Sequence, residues 1–272
     1  MRLSVHHNTV YAFEAPMRFV TQSHRLTPAS SQGQKVASWS IDVKGADFGA
    51  AFTDGGGDLV TTMTMEGPVS RIEVVVSGTV ETSDTSGVLR GHSETVSPRC
   101  FLRETKATKA SPAIRALLEA CLREVQSEGD LARAHALCDC VAQEIVYRPG
   151  TTHAHSTAAE VVEAGEGVCQ DHAHVLISLA HLARMPARYV TGYLLVNGEE
   201  GAAGEASHAW AEIFVEGLGW VGFDASNATC PDERYVRLGS GRDAIEAAPI
   251  RGVSRGGGGE AMDVSVKVAA QQ

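Results

Sequence analysis

Apolar and polar positions alternate from the first residues of the chain. Leu3, Val5, His7, Thr9 and Tyr11 fall on one side of segment 2–11, the period of a half-buried strand. The same reading predicts strands at 36–43, 58–66 and 69–80, the last carrying the β-branched run RIEVVVSGTVET. TPASSQGQ, TDGGGD and EGP supply turn chemistry between them. An antiparallel sandwich or open barrel is expected over residues 1–105.

After Phe101–Ser111 the period becomes helical. Ser111 offers an N-cap and Pro112 a first-turn residue, and Ile114, Leu117, Leu118, Cys121, Leu122 and Val125 share one face. Past Gly129-Asp130 a second stripe runs through Leu131, Ala134, Leu137, Cys138, Val141 and Ile145. Thr157 and Glu160 have capping-box spacing for a short helix over 157–164. Gly165 and Gly167 break it, and a fourth helix over 169–184 stops at Met185-Pro186. Strands follow at 187–196, 207–215 and 218–224, and the tail ends in the alternating MDVSVKV. Helices followed by an antiparallel sheet make an α+β unit over 106–272, with its C-terminal strand included.

Composition narrows the function classes. The 272 residues carry a formal charge of −10, which argues against a nucleic-acid partner. No apolar run approaches the ~18–20 residues of a spanning helix, and MRLSVHHNTVYAF lacks the apolar core of a signal peptide. A cytoplasmic location away from membranes is therefore the expectation. The six cysteines are too sparse for a disulfide framework, so most are expected to be reduced and structural.

Cys169 is the exception. It follows two glycines at the start of a predicted helix, where unpaired N–H groups and the dipole favour a thiolate and could stabilise an oxyanion. Alone, it reads sooner as a small residue opening a buried helix. His208 lies on a segment where His208, Trp210, Glu212 and Phe214 share one side of a strand. Asp224 ends the next strand, and a hairpin brings it near the level of His208. Carboxylate beside imidazole fixes the tautomer and stabilises imidazolium. Separately, the histidine fits a structural role and the aspartate an ordinary turn.

Together the blocks GEGVCQDHA (165–173), ARYVTGY (187–193), SHAWAEIFV (207–215) and GWVGFD (219–224) resemble the transglutaminase-like superfamily, a branch of the papain-like cysteine enzymes. The β-rich start and the tail resemble the bacterial subgroup with a transglutaminase-like N-terminal β domain. The resemblance implies a papain-like core with Cys169 as nucleophile, His208 as general base and acid, and Asp224 as the orienting carboxylate. It further implies acyl transfer at amide bonds through a thioester, either as a cysteine protease or amidase or as a transglutaminase, on a peptide, a protein or a small amide or γ-glutamyl compound. The family often has Pro-Thr after the aspartate, where Ala225-Ser226 stand here. The alternative is a catalytically silent peptide-binding or scaffold module of the same fold.

Around the triad, Gln170, Asp171, His172, Trp210 and Tyr193 are candidates for substrate contact or support, with Glu212 and Arg188 nearby. The oxyanion donors are expected at the Cys169 N–H and at Gln170 or a side chain from 147–157. A metal site is the rival chemistry. His172 and His174 point about 200° apart on a helix and cannot readily share an ion, whereas His153 and His155 share a face if extended. No calcium-loop spacing is present, and no metal or cofactor is expected. Cys138 and Cys140 also diverge on a helix, which disfavours a disulfide between them and favours packing. RGGGGE lacks the ending of a phosphate loop and reads as a turn.

Overall fold

The computed structural model describes residues 1–123, 129–196 and 206–271. The N-terminal region is built on two long antiparallel strands, β1 (Arg2–Thr27) and β4 (Leu59–Thr82). β2 (Gln34–Val43) pairs with the C-terminal half of β4, and β3 (Asp47–Thr53) with its N-terminal half. In β1 the buried positions run Leu3, Val5, His7, Thr9, Tyr11 and Phe13, then change phase to Val20, Gln22, His24 and Leu26. Register shifts between Ala12, Met17 and Phe19 cause the change, because each extra residue flips the side-chain alternation. Tyr11, Val20, Met63, Val74 and Val76 meet in one apolar cluster drawn from both halves of the sheet.

A short 3₁₀ turn (Pro98–Leu102) leads to α1 (Pro112–Cys121), capped by the Ser111 side chain on the Ile114 N–H. α2 (Asp130–Glu144), the two-residue strand β5 (Val146–Tyr147), α3 (Ala158–Ala164) and β6 (Glu166–Gly167) precede α4 (Cys169–Leu182). The core sheet has the order β10-β7-β8-β9, with β7 Ala187–Leu194, β8 Ser207–Val215, β9 Gly219–Phe223 and β10 Tyr235–Gly241. α4 packs on this sheet and is buried from Asp171 to His181, as a central helix apolar on most sides must be. The architecture is α+β, a β-rich N-terminal region followed by helices on an antiparallel sheet.

Several elements differ from the sequence expectation. The strand expected at 2–11 continues to Thr27. DFGAAFT forms β3, fully exposed along its length, so no burial pattern marks it. β10 is fully buried yet carries Arg237, whose charge is neutralised by partners far away in sequence. Val125, expected on the face of the first helix, lies outside the described residues. β11 (Ile250–Arg255) and β12 (Glu260–Ala270) both hydrogen-bond to β1, so the C-terminal strand joins the N-terminal sheet and not the core sheet.

One cysteine expectation is corrected. Cys138 and Cys140 do diverge, and Cys138 packs in the core. That divergence turns Cys140 toward α1, where it forms a disulfide with Cys121 across a Cα separation of 5.6 Å.

The two regions dock through apolar and ionic contacts. Leu3, Val5 and Val80 pack on Tyr193, Val236 and Leu238. Beside them runs a chain of buried charges. Arg188 bonds Glu94 at 2.6 Å and Glu212 at 2.6 Å, and Arg237 bonds Glu212 at 2.9 Å and Asp58 at 2.8 Å. The Arg188 guanidinium also lies 4.0 Å from the centre of the Trp220 ring.

Candidate active site

The start of α4 is fixed before any chemistry is considered. α3 ends on Gly165 at φ 69, a left-handed C-cap that glycine adopts without strain. Gly167 then passes so close to α4 that an added Cβ would lie 2.7 Å from that of Asp171. The Asp171 carboxylate accepts from the Val168 N–H at 2.8 Å and from the Thr152 hydroxyl at 2.6 Å. His172 sits between two carbonyl oxygens, that of Val168 at 2.9 Å and that of Ile145 at 3.0 Å. These contacts hold Cys169, half-buried, as the first residue of α4.

His208 and Asp224 come from neighbouring strands. Phe223 pairs with Ala211, which carries Asp224, just past the end of β9, toward the start of β8. His208 Nε2 lies 2.6 Å from Asp224 Oδ2, and the imidazole and the Cys169 thiol line one cleft. With Nε2 committed to the carboxylate, Nδ1 is the nitrogen left for sulfur. Trp210 stacks under the imidazole at 6.4 Å and meets the Tyr235 ring edge-on at 5.5 Å.

Asp224 is itself held on both oxygens. Oδ2 accepts from Asn227 Nδ2 and the Tyr235 hydroxyl, each at 2.8 Å. Oδ1 accepts from the Ser226 N–H at 3.0 Å and its hydroxyl at 2.7 Å. Burial alone would raise the carboxyl pKa, but the bond and charge of His208, with Asn227 and Ser226, bring it down to about 2. Burial likewise pushes the imidazole down, and the bonds and charges of Asp224 and Cys169 outweigh it, carrying His208 up to about 10. The arrangement is an imidazolium poised between a thiol and a fixed carboxylate.

Cys169 and His208 open into a cleft of about 700 Å³. Tyr189 and Thr191 on β7 line it from the core, His7, Thr9 and Tyr11 on β1 from the opposite side, and Met262 and Val264 on β12 extend that wall. His7 hydrogen-bonds Tyr193 at 2.8 Å and Thr9 at 2.9 Å, and burial lowers its pKa to about 4.

Cys169, His208 and Asp224 are thus together. Gln170 lines the cleft, with its amide 3.4 Å from the Ala154 carbonyl. Asp171 and His172 secure the helix start, Trp210 supports the imidazole, and Tyr193 holds His7. Glu212 and Arg188 belong to the buried ion chain, away from the triad. His155 lines the cleft, and among the described residues no cluster of three His, Cys, Asp or Glu side chains is arranged to hold a metal ion. No described helix is long and apolar enough to cross a membrane. Sequence reasoning missed Asn227 and Tyr235. Asn227 follows Asp224 in the turn sequence DASN, and Tyr235 has no local signal.

Comparison with known proteins agrees with this fold. Residues 117–225 match the model of the transglutaminase-like superfamily, and residues 3–81 match the bacterial transglutaminase-like N-terminal region. The chain belongs to the transglutaminase-like superfamily, with that bacterial region ahead of the core. It is 27% identical to the uncharacterized protein ML0607 of Mycobacterium leprae over 98% of each chain. It is 36% identical to the uncharacterized protein Rv2569c of Mycobacterium tuberculosis over 40% of this chain and 38% of that one. A crystal structure from Cytophaga hutchinsonii, described as a "putative cysteine protease", superimposes with a TM-score of 0.74 at 22% identity, over 99% of this chain and 90% of that one. That likeness establishes the fold.

Proposed function

We propose that this protein is a cysteine-dependent acyl transferase or hydrolase acting at amide bonds. The observation that carries the reading is the His208 imidazole, 2.6 Å from Asp224 and on the same cleft as the Cys169 thiol. In this reading Cys169 Sγ attacks the carbonyl carbon, forming the S–C bond while the carbonyl π pair moves to oxygen. The tetrahedral adduct collapses, the C–N bond breaks, and the departing amine takes the proton held by His208. His208 then deprotonates water or a second amine, which attacks the thioester and releases Cys169.

The neighbour from Cytophaga hutchinsonii, by its description, supports the hydrolytic version. The cleft is open and largely apolar in its walls, which suits a peptide, a protein segment or a small amide. The silent-scaffold alternative requires no coupling between Cys169 and His208. Alkylation with iodoacetamide near pH 6 separates the two readings. Cys169 should label faster than Cys100 or Cys230, and His208→Ala should abolish that advantage. Equal rates at the three thiols, unchanged by the substitution, would overturn the activated-thiol reading. Screening glutamine and γ-glutamyl peptides for ammonia release, with and without added amine, then distinguishes hydrolysis from transfer by product mass.

A further inference from the structure

The oxyanion that forms in acylation needs donors fixed beside Cys169. The N–H groups of Cys169 and Gln170 lie in the first turn of α4, where no intrahelical acceptor is available. A second donor, from a different element, is still to be assigned. Of the polar side chains that line the cleft, Gln170 bonds the Ala154 carbonyl and His7 lies between Tyr193 and Thr9. His155 has no hydrogen-bond partner among the described residues but sits exposed on a loop.

Tyr189 is different. It lines the cleft with Cys169, from the middle of a fully buried strand. Only 5% of its surface is exposed, and its hydroxyl has no hydrogen-bond partner among the described residues. That oxygen is not sealed off from solvent, and the residue lines the cleft. Its ring lies 5.2 Å from that of His174, which accepts the Ala244 N–H at 3.1 Å, so the phenol is clamped from beneath.

A hydroxyl held at the cleft without a protein partner is free to donate to an arriving acceptor. The geometry points to Tyr189 as a catalytic residue whose hydroxyl donates a hydrogen bond to the carbonyl oxygen of the acyl donor as that oxygen becomes an oxyanion. The proton stays on the tyrosine throughout, and the residue acts as a preorganised dipole. Two features fit this role. Burial, followed by the charges of Cys169, Asp171 and Asp243, holds the phenol pKa well above 10, so the group remains a donor. Tyr189 and Cys169 line the same cleft, so the phenol and the thiol face one space.

This inference rests on the acyl-transfer reading above, and one experiment distinguishes them. Acylation forms an oxyanion, whereas alkylation by iodoacetamide displaces iodide from a saturated carbon and forms none. Tyr189→Phe keeps the ring and removes only the hydroxyl. With p-nitrophenyl acetate as the acyl donor, nitrophenolate release and the mass of acetylated Cys169 report acylation. The variant should acylate on the order of 100-fold more slowly, with its alkylation rate and melting temperature at the wild-type values. Equal acylation in both proteins overturns the role of Tyr189 and leaves the acyl-transfer reading standing. A parallel fall in acylation and alkylation also overturns it, because the effect would then act on the thiol. If wild-type Cys169 alkylates but never acylates, both readings fall.

Discussion

Replacing Glu212 with glutamine removes the central charge of the buried ion chain while keeping the shape of the side chain. Burial alone would raise its carboxyl pKa, but the charges of Arg237 and Arg188 prevail and hold it at about 2. Against an ordinary glutamate near about 4.3, that difference corresponds to about 3 kcal/mol at neutral pH. Breaking a buried ion pair costs about 3–5 kcal/mol in general. The low end applies here, since Arg188 keeps Glu94 and Arg237 keeps Asp58. Urea unfolding at pH 7 should therefore show Glu212→Gln less stable by about 3 kcal/mol. A carboxyl depressed on folding stabilises above its unfolded pKa and loses that contribution as pH falls through its folded one. The gap between wild type and variant should hold from neutral pH to about 5, then close between about 4 and about 2. Alkylation of Cys169 in the folded variant should be unchanged, because Glu212 does not touch the triad. A gap under about 1 kcal/mol at pH 7, or one that persists in acid, would refute the assignment.

Other perturbations read the site and the scaffold separately. Asp224→Asn removes the bonds and charge that hold His208 protonated, so the alkaline limit of rapid Cys169 alkylation should move down by about one pH unit or more; a pH–rate profile with an unmoved limit would contradict the pairing. The Cys121–Cys140 disulfide closes a sequence separation of 19 residues, and replacing both cysteines with serine should cost about 3 kcal/mol in denaturant unfolding. Neither cysteine lines the cleft, which predicts an unchanged alkylation rate, and a rate that falls with the disulfide would show that α1 and α2 position Cys169.

The legible parts of the fold are those written in local periodicity or in covalent order. Ser111, the Thr157–Glu160 box and the glycines at 165 and 167 mark helix ends through short-range geometry, and the helices stand where those residues place them. Cys169, His208 and Asp224 were readable because each occupies an element boundary or strand of recognisable type, and their order carries the family resemblance. What remained hidden depends on partners remote in sequence. Tyr235 becomes part of the site only because β10 brings its hydroxyl to Asp224. Glu212 looked like a site residue because it shares a strand side with His208, but the partners that claim it are Arg188 and Arg237. Cys140 found its partner on another helix, which spacing within its own helix could exclude but not supply.

The pairing of β12 with β1 changes what the N-terminal region contributes to the chemistry. The core sheet and α4 bring nucleophile, imidazole and carboxylate together, yet they form only one side of the cleft. The facing wall comes from β1 and β12, the first and last strands of the chain, in register from Leu3↔Ala270 to Phe13↔Glu260. His7 links that wall to the core through Tyr193, on the strand that also carries Tyr189 and Thr191. A substrate reaching Cys169 is therefore bounded by residues from both ends of the sequence. In the proposed reaction the core would supply the bond-making chemistry, and the apolar face of Met262 and Val264 and the polar edge of His7 and Thr9 would meet the rest of the acyl donor. Selectivity among amides is thus expected to vary with β1 and β12 more than with the triad, because those strands can change side chains without moving Cys169, His208 or Asp224.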